Sequence, residues 1–566
     1  MTIKKNINII SLIFGIFLLV SCKTGSKSEL QEKAKLPNIL FILTDDQYRK
    51  EFNFLPEGRN EDGTPKNLTP NLDRLSNEGV ILGGLHCPSP LCVPSRFNYL
   101  TGMYASRATN RWMQDLHRIH KHTFIAQEPE ITAETPTFAK QLKELGYTTG
   151  FIGKNHSVEA PGWIKLPADA DVNTQASKQF LKAQHQLVKE SIENVGFDYA
   201  DRIYHTNPRA HGPLAISQHN IEWLTEGALN FIDENAGNPF YLYYAVTVPH
   251  DPDNGWKQDP RATPAGILDK APDIGTSRTN IIERLKAKNI EQNRADMLWL
   301  DDNIGVLLKK LEEKKILDNT IIVYLTDHGM ESGKTTAYQG GLKTEGFIWA
   351  KNIKGGRHTQ GLCSTVDLVP TLMDMVGGKL DDYAYDGVSL MPILTAEKEE
   401  VRTSVYGEMG HARAVIKGKY KYIALRYSDY TQNMPLGERQ AWHNATVKYM
   451  KAINRPPFEN DVENGKFGHS GQIPGGWDNE WNAMKKYPAY FDADQLYDLE
   501  VDPNEQKNLA YLPEYQEALK EMKAELQIYI DKLPGGFAEF KKDEFEDFPQ
   551  DSVLARAARL REDVFH

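Results

Sequence analysis

The 566-residue chain has four cysteines, too few for a disulfide framework in a protein of this size. It also lacks a basic excess: 66 Lys and Arg face 77 Asp and Glu, a formal net charge of −11. That balance argues against a nucleic-acid protein, which carries a basic stripe or patch. Internal repeats and long low-complexity tracts are missing, so neither a repeat array nor a disordered tail is expected. Beyond the N-terminus no apolar run is long enough to cross a bilayer. What remains is a composition of 40% apolar and 25% charged residues, typical of a globular protein with a sizeable core. With so few cysteines, each one calls for its own explanation.

The first, Cys22, follows Lys4, Lys5 and an apolar run from Ile9 to Val20 broken only by Ser11 and Gly15. The run is short for a span of about 20 residues but suits an export signal. Its end, Leu19-Val20-Ser21-Cys22, resembles a bacterial lipoprotein signal. The resemblance implies cleavage before Cys22, a lipid on its thiol, and a membrane anchor. An ordinary secretory signal with an incidental cysteine is the alternative. Residues 1–21 are thus read as signal and 22–36, polar with Gly and Ser, as a flexible tether. Cleavage removes two lysines and no acid, so the mature chain is more acidic still. No acidic run follows Cys22, which favours the periplasmic face over the cell surface.

From residue 37 apolar runs of strand length alternate with amphipathic stretches. Asn38–Leu43, Thr148–Ile152, Phe240–Thr247 and Thr320–Leu325 read as buried strands. Between the last two, Met297, Leu300, Ile304, Leu307 and Leu311 recur at the three-to-four spacing of one helix face. This alternation predicts an α/β fold around a mostly parallel sheet between helices. All four runs end in chemically capable residues: Asp45-Asp46, Lys154, His250 and Asp327-His328. In open α/β sheets the ligand crevice lies outside the carboxyl ends of the strands, so these residues could meet. After about residue 400 the texture changes to short β-like pieces (Ala414–Ile416, Tyr420–Ala424), an irregular Gly-, Pro-, Asn- and Trp-rich stretch near 431–490, and a helix over Pro513–Lys532. The expected organisation is a large domain over 37–400 and a smaller α+β domain over 401–566 with an irregular insertion.

Cys92-Val93-Pro94-Ser95-Arg96, continued by Leu100-Thr101-Gly102, resembles the signature of type I sulfatases, in which the cysteine is oxidised to formylglycine. Other landmarks of that family have counterparts along most of the mature chain. Pro37 to Asp46 looks like its opening strand and metal pair, and Gly153-Lys154-Asn155-His156 like its Gly-Lys-x-His. Pro249-His250-Asp251-Pro252 is similar to its Pro-His-x-Pro, Asp327-His328-Gly329 to its second metal pair, and Lys334 before Tyr338-Gln339-Gly340-Gly341 to its active-site lysine. Asp367–Leu372, Asp386–Leu390 and Gln495–Leu499 with Asp502-Pro503 resemble later structural signatures. The resemblance implies the alkaline-phosphatase-like fold and sulfate-ester hydrolysis.

It also implies roles. The formylglycine hydrate made from Cys92 would attack sulfur with one hydroxyl and expel sulfate through the other. Asp45, Asp46, Asp327 and the modified Cys92 would hold a divalent cation, Ca²⁺ first and Mg²⁺ or another ion as alternatives. His328 would join them, although many sulfatases have Asn there and imidazole better suits transition metals. Arg96 and Lys154 would balance the sulfate charge, His156 would act as base, and His250 with Lys334 would protonate the leaving alcohol. A helix from about Arg96 onward would favour an anion beside Cys92. The implied partners are a sulfated oligo- or polysaccharide, an algal glycan such as ulvan or a glycosaminoglycan, together with a formylglycine-generating or sulfatase-maturating enzyme. Two rivals stand beside this reading: a phosphate or phosphonate monoester hydrolase of the same superfamily, and a non-catalytic sulfoglycan-binding lipoprotein.

Outside the motifs, Arg107, Arg111, His117, His120, His122 and His211 could line a sugar subsite. The three histidines at 117, 120 and 122 lack a completing carboxylate or cysteine and read as a solvated face. Trp112, Trp163 and Trp256 are either sugar platforms or core. Cys87 and Cys363 are either a disulfide or, more plainly, two buried thiols.

Overall fold

The computed structural model describes residues 36–127, 129–276, 278–452 and 477–542, in one compact unit that begins at Leu36. The expected signal, Cys22 and all but the last residue of the tether lie outside the described residues.

Strand β1 (Asn38–Asp45) is buried along its whole length. Its side chains alternate between two cores: Ile39, Phe41 and Leu43 enter one, Leu40 and Ile42 the other. A strand covered on both faces needs apolar residues at every position, which is why the sequence shows a continuous run there. Strands β2 (Val80–Leu82), β3 (Thr148–Lys154), β4 (Tyr199–Tyr204), β5 (Phe240–Pro249), β6 (Thr320–Thr326), β7 (Gly346–Trp349) and β8 (Arg357–Thr359) complete the sheet. Their spatial order is β8-β2-β7-β6-β1-β5-β3-β4. Strand β7 runs antiparallel to both its neighbours; the other pairings are parallel. The four apolar runs read from the sequence are β1, β3, β5 and β6, adjacent in the middle of the sheet. Their carboxyl ends therefore share one edge.

Helices cover both faces. On one side Ile221–Asn235 packs against Ala295–Glu313, whose Met297, Leu300, Ile304, Leu307 and Leu311 are all buried. Each such side chain contributes about 1.5–3 kcal/mol by leaving water, against differences in helix propensity of well under about 1 kcal/mol per residue. Packing of that face thus decides the helix. On the other side lie Cys92–Thr101, Phe138–Glu144 and Leu368–Met375, which bring Phe97, Phe138 and Leu368 into the first core.

A second, antiparallel sheet follows, β9 (Ser404–Met409), β10 (Ala412–Lys417), β11 (Tyr420–Leu425) and β12 (Asp494–Asp498), in that order. The helix Gln516–Lys532 closes it with Leu519, Met522, Leu526 and Ile530. This second part of the fold is joined to the first by stacking of Tyr338 on Tyr487, with centroids 3.6 Å apart, and by Glu505, which accepts from the Gln339 amide at 2.7 Å.

Two expectations change. The stretch 431–490 is helical where it is described, over Asp429–Gln432, Leu436–Ala452 and Trp477–Lys486; residues 453–476 lie outside the described residues. The longest of these helices, Leu436–Ala452, carries no sustained apolar stripe, so periodicity had little to register. The helix at Cys92 starts at Cys92 itself, four residues earlier than expected. Pro94 falls in its first turn, where a missing N–H costs nothing.

Close packing of β3 on β5 sets where Lys154 lands. Gly153 has φ 105°, and a Cβ there would lie 1.8 Å from the Ala245 carbonyl oxygen. Gly153→Ala is expected to destabilise the fold by about 3 kcal/mol or more, combining overlap with a disfavoured backbone region. Denaturant melts of the variant against the parent chain measure this directly.

Candidate active site

The shared strand edge gathers acids and bases that are hundreds of residues apart in sequence. β1 delivers Asp45 and Asp46, β3 Lys154, β5 His250 and β6 Asp327 with His328. The helix Cys92–Thr101 starts beneath them, and Cys92 is 2% exposed. Three non-glycine residues here, Asp46 (φ 60°), His156 (55°) and Thr335 (69°), take the left-handed backbone region. Such outliers persist where the surroundings hold them, commonly at functional sites.

The charges form two linked groups. In the first, Lys154 Nζ donates to both Asp45 oxygens at 2.9 and 2.7 Å, and Arg96 Nη2 reaches Asp45 at 3.1 Å and Asp327 at 3.4 Å. Burial pushes the Asp45 carboxyl up, but Lys154, His250 and Arg96 outweigh it and hold the group well below the usual carboxylate range. In the second, Lys334 Nζ donates to both oxygens of Asp46 at 2.6 Å, and His250 Nε2 lies 3.4 Å from the same carboxylate. Asp46 is likewise held down by Lys334, His250 and His328 against the effect of burial. Asp327 goes the other way: burial raises it, and His328 and Arg96 do not fully offset that. The cluster therefore contains a carboxylate short of positive charge.

Asp46, Cys92, Asp327 and His328 offer ligand atoms that all lie within 4.8 Å of one another. The His328 Nδ1 is engaged by the Gly329 carbonyl at 3.1 Å, which leaves Nε2 facing Asp46 at 3.4 Å, Asp327 at 3.6 Å and the Cys92 sulfur at 3.6 Å. Two hard carboxylates, one of them (Asp327) without enough cation beside it, and a neutral imidazole fit a divalent metal. Asp45 lies outside this grouping, turned to Lys154 and Arg96.

His156 is half-buried at the end of β3. Its amide donates to the His205 carbonyl at 2.9 Å and its Nδ1 has no hydrogen-bond partner among the described residues. Burial, with Lys154 and Arg96 nearby, holds its pKa well below the ordinary value, so the ring is neutral. His250 is the opposite. Burial pulls it down, but Asp46, Asp45 and the 2.8 Å bond from Nδ1 to Asp251 push it up to about 9. Burial also raises the Cys92 thiol, despite Lys154 and Lys334, so this cysteine is not an activated thiolate.

Sequence reasoning missed three neighbours. Asp251 steadies His250, Arg209 pairs with Asp251 at 3.0 Å, and Asn207 accepts from Lys154. Asp251 stood inside the Pro-His-x-Pro motif, where its charge was the available signal. Asn207 follows β4, an edge strand whose mixed sequence Tyr-Ala-Asp-Arg-Ile-Tyr gives no apolar run.

Most weaker candidates fall outside the site. Arg107 is clamped by Asp386 at 2.7–3.0 Å. His120 and His122 are buried, not solvated: they stack near Phe124, and His122 is 3.2 Å from His411. The helix Arg111–His120 turns the face with Met113, Leu116 and His120 inward, and His122 follows just past its end. Trp163 packs on His205, 4.6 Å between centroids, with His211 beside it; Trp256 carries Lys257 at 5.0 Å, and Trp112 is part of a small apolar cluster with Leu91. Arg111 is exposed at the start of its helix. Cys87 and Cys363 are buried free thiols, as the plainer reading had it.

Comparison with known proteins now adds context. The family model described as Sulfatase matches residues 37–378. An ulvan-active sulfatase of Formosa agariphila is 24% identical over 536 residues, covering 91% of this chain and 86% of its own. The N-acetylgalactosamine-6-sulfatase of Homo sapiens is 25% identical over 528 residues, covering 88% and 86%. A solved structure from work on glycosaminoglycan metabolism by Bacteroides thetaiotaomicron superposes with a TM-score of 0.56 at 19% identity, covering 88% of this chain and 99% of its own.

The donor set makes one measurable demand. A divalent cation at one hundred times its Kd is expected to stabilise the protein by about 2.7 kcal/mol. Thermal melts with and without chelator report it, and Asp327→Asn should abolish the response while leaving a folded protein.

Proposed function

Because the chain belongs to the sulfatase family, we propose that it hydrolyses sulfate esters of a carbohydrate at the crevice built around Cys92. The observation that carries this reading is the convergence of Arg96, Lys154 and Lys334 with the Asp46, Cys92, Asp327 and His328 grouping on one strand edge. A sulfate ester presents three oxygens that share one negative charge, and a pocket with three fixed cations complements it. Conversion of Cys92 to formylglycine supplies the oxygen nucleophile that a buried, protonated thiol does not. A divalent cation held by Asp46, Asp327, His328 and the converted Cys92, with Asp45 close by, supplies Lewis acidity; the carboxylates favour Ca²⁺, with Mg²⁺ or another ion as alternatives.

The chain's own residues do the rest. Arg96 and Lys154 hold the anion and neutralise Asp45. His156, neutral and with a free ring nitrogen, takes a proton. His250, protonated and braced by Asp251, donates one to the leaving alcohol, and Lys334 keeps Asp46 and the anion in place. Phosphate or phosphonate ester cleavage is the reading the relatives do not favour.

The names of the relatives, ulvan-active sulfatase and N-acetylgalactosamine-6-sulfatase, support a sulfated algal glycan or a glycosaminoglycan as substrate. The partners that go with this are a maturating enzyme for Cys92 and, through a lipid on Cys22, a membrane. Among the described residues no helix is long and apolar enough to span a bilayer. The export signal read at residues 1–21 supports an exported protein, on the periplasmic face or at the cell surface, with the lack of an acidic run after Cys22 favouring the former.

Three outcomes test this. Protein matured with a formylglycine-forming partner should cleave an aryl sulfate in preference to an aryl phosphate, and Cys92→Ala should remove that activity; a matured protein inert on aryl sulfate and on a panel of sulfated oligosaccharides leaves only a binding role. His250→Gln should lower kcat about 10²–10⁴-fold. Since His250 must be protonated to act as an acid, kcat should fall as pH rises through about 9; Asp251→Asn, which removes one of the groups holding that proton, should move the fall to lower pH.

A further inference from the structure

A second, small cavity lies beside the catalytic loop without sharing its charged groups. Lys334 turns to Asp46, whereas Thr335 to Tyr338 line the cavity. The facing wall comes from the second sheet and from the helix Trp477–Lys486, which contributes Glu480.

Glu480 is 2% exposed. The Tyr490 hydroxyl donates to it at 2.9 Å, and among the described residues no lysine, arginine or histidine pairs with it. That is uncommon: buried carboxylates are normally matched by a cation or by several donors. Thr335, fully buried on the same cavity, has a hydroxyl oxygen with no hydrogen-bond partner among the described residues. Two oxygen acceptors thus face a space walled by the rings of Tyr338, Tyr427 and Tyr490, with Ile423 and Leu425 alongside.

Water would satisfy the threonine but not the charge that a carboxylate would carry there. A positively charged N–H donor would satisfy both, and aromatic walls add attraction for a cation. The apolar side chains suit a carbon body. We infer that this cavity binds a primary ammonium group on a small, otherwise uncharged body, whether a 2-amino sugar or a simple alkylammonium.

The electrostatics agree. Burial pushes Glu480 up to about 8, so at neutral pH the empty cavity holds a protonated acid. An arriving ammonium would favour the carboxylate and release its proton. The other titratable groups facing it are set outside that range: burial raises Tyr338, Tyr427 and Tyr490, and burial with His122 and His120 keeps His411 well below its ordinary value. The inference stands apart from the sulfatase reading, since it concerns binding without turnover.

Calorimetric titration of the full chain tests it with methylammonium, D-glucosamine and N-acetyl-D-glucosamine. The first two should bind and the acetylated sugar should not. Methylammonium affinity should strengthen between pH 6 and 8, with heats that depend on the buffer in the manner of proton release. Glu480→Gln should weaken binding at least tenfold and flatten the pH dependence, with aryl sulfate hydrolysis unchanged. Tighter binding of glucosamine than of methylammonium assigns the site to an amino sugar; equal binding assigns it to the bare ammonium group. N-acetyl-D-glucosamine binding as tightly as glucosamine, an unaffected Glu480→Gln variant, or no proton release on binding to the parent protein would each overturn the inference.

Discussion

The structure turns on three carboxylates, Asp45, Asp46 and Asp327, buried together at the edge of a parallel sheet. Placing them there opposes folding, because each must leave water and each repels the others. Lys154 and Arg96 answer Asp45, and Lys334 and protonated His250 answer Asp46. Removing one partner from such a buried pair typically costs about 3–5 kcal/mol, since it strands the other charge. Asp327 is the member left short, and that shortage is what a divalent cation would meet.

The rest of the fold serves this placement. Strands β1, β3, β5 and β6 lie side by side and run the same way, so their ends deliver side chains to one line. Gly153 lets β3 press against β5 where a larger residue would collide. The Cys92 helix is anchored from below by Tyr99, whose hydroxyl donates to the Thr326 carbonyl at 3.0 Å, next to Asp327. The second sheet braces the Lys334 loop through Tyr338, Tyr487 and Glu505. An overall acidic protein thereby presents a small cationic pocket, and such local focusing is what a protein repelling its own anionic substrate requires.

The histidines show how little residue type alone decides. His250 is charged because carboxylates surround it; His156, also behind the sheet edge, is neutral because burial, with Lys154 and Arg96 nearby, disfavours its charge. His120 and His122 are neutral because they are buried. One side-chain type is thus charged or neutral according to its burial and the charges beside it.

Much of this was legible without coordinates. Continuous apolar runs marked the four central strands because a strand covered on both faces tolerates nothing else, and the spaced apolar positions marked the helix Ala295–Glu313 for the same kind of reason. The motif residues Asp45, Asp46, Cys92, Arg96, Lys154, His250, Asp327, His328 and Lys334 were nameable through their resemblance to the sulfatase motifs. Edge strands such as Tyr199–Tyr204 and helices such as Leu436–Ala452 escaped, since one is half-exposed and the other has no apolar stripe. What the sequence by itself determined was therefore the α/β class and which strands end in chemically capable residues. Only the tertiary structure decided that Asp45 faces Lys154 and Arg96 while Asp46 faces Lys334, that Asp251 braces His250, and that Glu480 lines one cavity with Thr335 with no cation paired to it among the described residues. Electrostatic partnership falls off with distance in space, and neighbours in space are set by strand order and register, which no local stretch of sequence encodes.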